Sequence, residues 1–427
     1  MHYRGLTWDH PRGYSALMHA AAKLDAATDG ISISWDKHSL EGFEAHPIGD
    51  LCERYDLVVF DHPHVGEAVA AGCLQPLESL LSADEIADLE RDTIGPCLSS
   101  YELNGQHWGL PLDAATQVLA YRADLHDGPP PLTWDDVLEL SERQPVAMSL
   151  AGPHAALTFQ SVVASLTRPE EYEDPEYFVP KHAGLAALDL MARLIARSPR
   201  NVRDANPIGI LGHMTRHTDV VLCPLIYGYV NYAVGSNLTA AGPDEQGHEQ
   251  PAEVGSRQAA SRRVASGPVT HAHAEPAQVA HAITFANAPR AWPDGRPGST
   301  LGGTGIGISR RCVITPQLLT HLRWLMSPEA QTQFIPAHDG QPSRRSAWMD
   351  DAVNSRWGNF YRNTAETLER AHVRPRHNHA IAFQTSASAF IREELGHKRE
   401  HRDLLAGLQA MFEKSRLEQA PSRLSHV

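Results

Sequence analysis

The chain has 427 residues, 42% hydrophobic and 21% charged, with a formal net charge of -14. That length exceeds one ordinary core and suits two lobes plus a helical tail. The acidic balance excludes a nucleic-acid surface, which would need a basic stripe, but local arginines can still hold an anionic ligand. No apolar run reaches the roughly 20 residues of a membrane-spanning helix.

In chain order, the first strand expected is Arg4 to Thr7, ending in Trp8, Asp9, His10, Pro11, Arg12 and Gly13, with a helix over Tyr14 to Ala26. Ile31 to Trp35 alternates apolar and polar residues and predicts a second strand followed by Asp36, Lys37 and His38. Leu57 to Phe60 is an unbroken apolar run, the pattern of a strand buried on both faces. Ligands of open α/β sheets bind beyond the carboxyl ends of the strands, which puts Asp61, His62, Pro63 and His64 at a crevice. A small-residue helix over Val65 to Ala71 should stop at Gly72.

Gly109 to Leu112 leads through Asp113, Ala114, Ala115, Thr116 and Gln117 into Val118 to Tyr121. Two apolar runs broken by small and polar residues predict a crossing between lobes, with Asp113, Thr116 and Gln117 facing the cleft or serving as hinge hydrogen bonds. Helices are expected over Trp134 to Glu142, Ala155 to Leu166 and Gly184 to Ala196, the last stopped by Pro199, and a strand over Val220 to Leu222. That strand runs into Tyr227, Tyr229, Asn231 and Tyr232, suited to stacking on sugar-like faces and bonding hydroxyls.

From 235 to 281 the composition predicts a flexible insertion, in which His271 and His273 read as solvated rather than as a metal pair. Gly302 to Ile308 fits neither G-x-G-x-x-G nor a phosphate loop. It reads as a hinge or strand that approaches the ligand at Gly303 and Thr304, with a tight turn as the other reading. Ser327 and Pro328 open a helix as N-cap and first residue. Arg344 and Arg345 would clamp a carboxylate or phosphate, or form ion pairs of the protein's own. Helices follow from near Val353 past Phe390, then a surface helix around Leu404, Leu405, Leu408 and Phe412 with a frayed end.

Five cysteines, Cys52, Cys73, Cys97, Cys223 and Cys312, are scattered without CxxC spacing and read as buried small hydrophobes, easiest to keep in a reducing compartment. His62 and His64 form an H-x-H after a strand, and His377 and His379 a second pair. A zinc-dependent hydrolase on a β/α barrel is therefore an alternative, although the strands are too few for one.

The ordered motifs carry a family resemblance. A strand ending in Asp61, A-A-G-x-L-x-P-L at 70–77, N-G-x-x-W-G-L-P at 104–111, L-x-Y-R-x-D-L at 119–125 and T-W-D-D at 133–136 are followed by STLGGTGIGIS, WLMSPEAQ and GQPSRRSAW. In this order the chain resembles the family 1 extracellular solute-binding proteins, ligand-capturing subunits of ABC importers. The resemblance implies an α/β, two-lobed type II periplasmic-binding-protein-like fold, each lobe a mixed sheet flanked by helices, with a helical C-terminal region. The expected division is lobe I over 1–117, lobe II over 118–234, the insertion over 235–281, a return to lobe I over 282–345, and C-terminal helices over 346–427 bracing both lobes.

The implied function is hinge closure on a small polar ligand, carbohydrate-like or carboxylated. The candidate ligand residues are Trp8, Asp9, His10, Arg12, Lys37, Asp61, His62, His64, Asp113, Thr116, Gln117, Tyr227, Tyr229, Asn231, Gly303, Thr304 and Arg344. No cofactor, metal or catalytic residue is expected; the partners are a small molecule and an ABC permease, and the chain is expected to be a monomer. The resemblance implies a periplasmic location. Tyr3 to Trp8 already reads as the first strand, with no leader before it, so a cytosolic enzyme or ligand sensor on the same fold stays open.

Overall fold

The computed structural model describes residues 1–27, 30–172, 176–234, 281–396 and 400–417. The insertion expected over 235–281, apart from its last residue, and the frayed end lie outside the described residues. The main strands are β1 (His2–Trp8), β2 (Ser32–His38), β3 (Leu57–Phe60), β4 (Leu110–Tyr121), β5 (Leu222–Tyr227), β6 (Thr284–Ala286) and β7 (Leu301–Ile308). They pair in the order β2-β1-β3-β7-β4-β5, with β6 also on β4. β1 is parallel to β2 and β3, whereas β3–β7, β7–β4, β4–β5 and β4–β6 are antiparallel.

β3 explains its own sequence. Leu57 and Val59 face one apolar core, which also holds Tyr3, Trp8 and Leu17, while Val58 and Phe60 face another with Leu6, Ile48 and Val65. Both faces are covered, so the run need not alternate. The helix Val65–Ala71 ends as expected at Gly72, whose φ of 58° is the left-handed cap conformation.

The segment expected to break between two runs is one twelve-residue strand. Leu110 to Thr116 of β4 pair with β7, and Gln117 to Tyr121 pair with β5 and β6. Its irregularities are bulges rather than a break: one extra residue at Leu112, just before Asp113, and one on β5 opposite Val118 to Ala120. The second absorbs Pro224, which has no N–H to give the ladder. β5 therefore begins at Leu222, where the expected strand ended, and extends to Tyr227.

The glycine run is a strand, β7, rather than a turn. A Cβ at Gly302 would lie 2.4 Å from the Tyr227 ring, at Gly305 2.7 Å from the Tyr101 ring, and at Gly307 2.8 Å from the Phe60 ring. Aromatic rings thus lie flat where side chains would stand. Gly303 has φ of 89°, and a Cβ there would sit 2.3 Å from the Asp113 carbonyl oxygen. Replacing Gly303 with Ala should cost about 1–3 kcal/mol from backbone strain alone, visible as a lower urea midpoint; an unchanged midpoint would mean that the strand relaxes freely.

The helix His154–Leu166 packs on Lys181–Arg197, and Ala380–Gly396 packs on both of these and also on Leu40–Ala45 and the turn at His62–His64. The helix His401–Leu417 departs from the surface reading: Leu404, Leu405, Leu408 and Phe412 are buried in a core with Phe178, Leu188 and Phe383. Their spacing puts all four on one helix face, and the charges occupy the other. Among the described residues no helix is long and apolar enough to cross a membrane.

Candidate functional site

Widely separated segments meet at one cavity. The end of β1 brings Trp8 and Arg12, the end of β3 brings Asp61, the end of β5 brings Tyr227 and Tyr229, and β7 brings Gly302, Gly303 and Thr304. His154 and Leu157 come from one helix, Gln384 from another, and Arg374 from the connection before it. The cavity is partly open to solvent and holds about 60 Å³.

Its charges are internally paired. Arg12 clamps Asp113 with two bonds, Nε to Oδ1 at 2.9 Å and Nη2 to Oδ2 at 2.5 Å, and donates through Nη1 to the Gly228 carbonyl at 3.2 Å. Both side chains are only 4% exposed. The Arg12 guanidinium also lies over the Tyr229 ring at 5.0 Å and the Trp8 ring at 5.6 Å. Arg374 donates to Asp61, to the Gln384 Oε1 at 3.0 Å and to the Leu301 carbonyl at 3.0 Å. Burial alone would raise the Asp61 pKa, but the charge of Arg374 and the hydrogen bond from His62 outweigh it and hold the carboxyl below the usual range. The cavity therefore presents two guanidinium–carboxylate pairs with no surplus charge between them.

The imidazoles are neutral. Burial, reinforced by Arg12, pushes His10 down to about 3, and burial with Arg374 pushes His154 to about 3. His10 stacks on Trp8 with ring centroids 5.2 Å apart and meets Tyr229 edge-on at 4.9 Å. Two buried polar atoms of cavity-lining residues, the Trp8 indole Nε1 and the Thr304 hydroxyl, have no hydrogen-bond partner among the described residues. A buried polar atom without a partner is costly.

Beside the cavity lies a polar crossing. Thr116 Oγ1 bonds Ser299 Oγ at 2.5 Å, Ser299 Oγ donates to the Gln117 carbonyl at 2.7 Å, Ser161 Oγ donates to Gln117 Oε1 at 2.6 Å, and the Tyr227 hydroxyl reaches Thr300 Oγ1 at 3.2 Å. These bonds tie β4 to the entry of β7 where β4 changes sheet. Thr116 and Gln117 are thus placed in the crossing rather than on the cavity wall.

The remaining sequence candidates lie elsewhere. Asp9 and Lys37 pair with each other at 2.5 Å in solvent-exposed positions. His62 is buried against Asp61, its Nδ1 3.1 Å from Oδ1, and His64 is buried 3.6 Å from Glu67. Asn231 sits in the short turn Val230–Ala233 outside the cavity lining. Arg344 is buried outside the cavity lining, held by Asp88 at 2.8 Å, Asp92 at 3.2 Å and the Met326 carbonyl at 2.6 Å; the carboxylates it clamps are the protein's own. Arg345 does the same with Glu369.

The zinc-hydrolase alternative finds no support. Among the described residues no group of three or more His, Cys, Asp or Glu is placed to hold a metal. His377 is engaged with Ser415 Oγ at 2.8 Å, and the sheet is open and mixed rather than an eight-fold barrel. Residues not foreseen in sequence are Leu40, Phe43, His154, Leu157, Arg374 and Gln384. All but Arg374 sit on helices or their flanks with no motif around them.

One long strand, β4, joins β7 along its first half to β5 and β6 along its second, and the cavity lies at strand ends on both sides of it. The fold is that of the extracellular solute-binding proteins. A family model described as "Bacterial extracellular solute-binding protein" matches residues 40–192. Among solved structures, the chain is similar to a solute-binding protein from Agrobacterium radiobacter K84 in complex with ribitol, at 19% identity and a TM-score of 0.69, covering 97% of this chain and 98% of that one. It is also similar to maltose-bound MalE3 of T. maritima (16%, TM-score 0.71, 97% and 99% covered) and to a Thermotoga lettingae TMO solute-binding protein bound with α-D-tagatose (16%, 0.68, 97% and 98%).

Proposed function

We propose that the protein captures a small, neutral, polyhydroxylated solute, of alditol or monosaccharide size, for an ABC-type importer, and that it works outside the cytoplasm. The observation that carries this reading is the charge arrangement of the cavity. Both guanidinium groups are already neutralised by carboxylates of the chain, so an acidic ligand would meet Asp61 without a spare cation. A hydroxyl, by contrast, can donate to the carboxylate and accept from the Trp8 N–H or Thr304 while a sugar face lies on aromatic rings. Ribitol and tagatose, bound by two of the similar proteins, are of the proposed class.

Closure is stabilised only to the extent that the ligand binds the closed form better than the open one. Melting temperature measured across alditols, monosaccharides, sugar acids and amino acids should rise with a neutral polyol. Thr304→Val should then weaken that polyol about 2- to 13-fold, the loss of one hydrogen bond of about 0.5–1.5 kcal/mol, without lowering the stability of the ligand-free protein. A rise with carboxylated compounds alone would sink the neutral-ligand reading.

A further inference from the structure

Two of the five cysteines meet across a pair of helices. Cys52 lies in the helix Ile48–Arg54, Cys73 follows the helix Val65–Ala71, and the two helices pack on each other. Small residues bring them close: a Cβ at Gly49, one turn before Cys52, would stand 3.9 Å from the Ala71 Cβ. Glu67 Oε1 ties the second helix to the start of the first by accepting from the Ile48 N–H at 3.0 Å. Gly72 then takes the left-handed cap conformation and turns the chain, so that the Cys73 N–H returns to the Ala68 carbonyl at 3.1 Å. Cys73 thereby packs on the apolar core that holds Cys52, and the two thiols share a hydrogen bond. They differ in access: Cys52 is 4% exposed, whereas Cys73 is half-buried. The hydrogen bond from Cys52 outweighs burial and lowers the Cys73 pKa, while the same bond, reinforced by burial, pushes the Cys52 thiol up. Cys97, Cys223 and Cys312 are buried, and burial pushes each of these thiols up.

An accessible thiol that ionises easily, set against a buried one that does not, is the arrangement of an attacking and a resolving cysteine. We propose that Cys52 and Cys73 are a redox pair that closes to an internal disulfide by exchange with an organic disulfide. Cys73, as thiolate, attacks one sulfur of the organic disulfide, whose S–S bond breaks and releases one organic thiolate. Cys52 then attacks the Cys73 sulfur of the mixed disulfide, the internal S–S bond forms, and the second organic thiolate leaves. Two protein thiols are oxidised, one organic disulfide is reduced, and the two protein protons pass to the two departing thiolates. The closed bond encloses β3, Asp61 and the turn His62–His64, and so braces a strand end that lines the cavity. Neither cysteine lines that cavity, and the pair is independent of the solute proposed for it.

The test treats the full chain, native and fully reduced, with oxidised glutathione, blocks the remaining thiols and digests with trypsin. Cleavage after Lys37, Arg54 and Arg91 leaves Cys52 alone in 38–54 and Cys73 alone in 55–91. Mass spectrometry should find these two peptides joined, lighter than their sum by the two thiol hydrogens. The thiol count in denaturant should fall from five to three, and the urea midpoint should rise. In Cys52→Ala, Cys73 should accumulate as the mixed disulfide with glutathione, and in Cys73→Ala, Cys52 should stay a thiol. A count that stays at five, a peptide joined instead through Cys97, Cys223 or Cys312, or a Cys73 left unmodified in Cys52→Ala would each overturn the proposal. The joined peptides of the unaltered chain decide the pairing even where a variant does not fold.

Discussion

Replacing Arg12 with methionine should lower the unfolding free energy by about 3–5 kcal/mol, a large share of the 5–15 kcal/mol typical of a folded protein. The reason is what is left behind. Asp113 is 4% exposed and its two oxygens are both bonded to Arg12, so the substitution strands a carboxylate where water cannot reach it. Pairing Arg12→Met with Asp113→Leu removes both charges and should recover much of the loss. Urea unfolding of the two variants and the parent checks this. If the single variant matched the parent, the pair would not be holding the fold, and water would have to reach Asp113 from elsewhere.

Acidification should destabilise the protein steeply before any carboxylate titrates. Burial holds His10, His154 and His372 down at about 3 and His62 at about 4, with Arg12, Arg374 or Arg296 adding to it and Asp61 opposing it at His62. In the unfolded chain each returns to about 6.5. Between these values only the unfolded state takes up the proton, so the stability is complete above about 6.5 and falls as pH drops toward 4, by up to about 1.4 kcal/mol per pH unit for each histidine. Four such groups amount to on the order of 5 kcal/mol or more by pH 5. The melting temperature should therefore fall sharply from pH 7 to pH 5, and His372→Phe, which keeps the ring on Tyr172, should show a shallower fall. A flat profile over that range would mean that these imidazoles are not buried neutral.

Where local pattern and burial coincide, the fold was legible. β3 and the helix after it were read to their last residues because Leu57 to Phe60 is buried on both faces and Gly72 must turn left-handed. β4 was misread as two pieces because Asp113 to Gln117 are small and polar and look like an interruption, whereas they continue the ladder to β7 and β5 past a bulge at Leu112. The last helix was misread because its charges were weighed above the spacing of Leu404, Leu408 and Phe412, although that stripe is what seats it in the second core. In the cavity, Trp8, Arg12 and Asp61 could be named since strand ends face ligands in this class of sheet. His154, Arg374 and Gln384 arrive from helices and a connection more than ninety residues away from those strands. Only tertiary packing brings them there, and no local spacing records it.

The position of β7 also sets a timetable. It lies between β3 and β4, pairing Leu57 to Phe60 on one side and Leu110 to Thr116 on the other, so the first sheet has a gap until residue 308 has been made. A chain emerging from the ribosome can pair β1 with β2 and β3 early, but β3 and β4 stay unjoined while residues 122–300 are synthesised. Two unpaired strand edges, β3 and β4, wait through that interval. The growing protein is thus held short of its native state until nearly three quarters of it exist, which keeps the nascent chain within reach of any factor that acts on unfinished polypeptides.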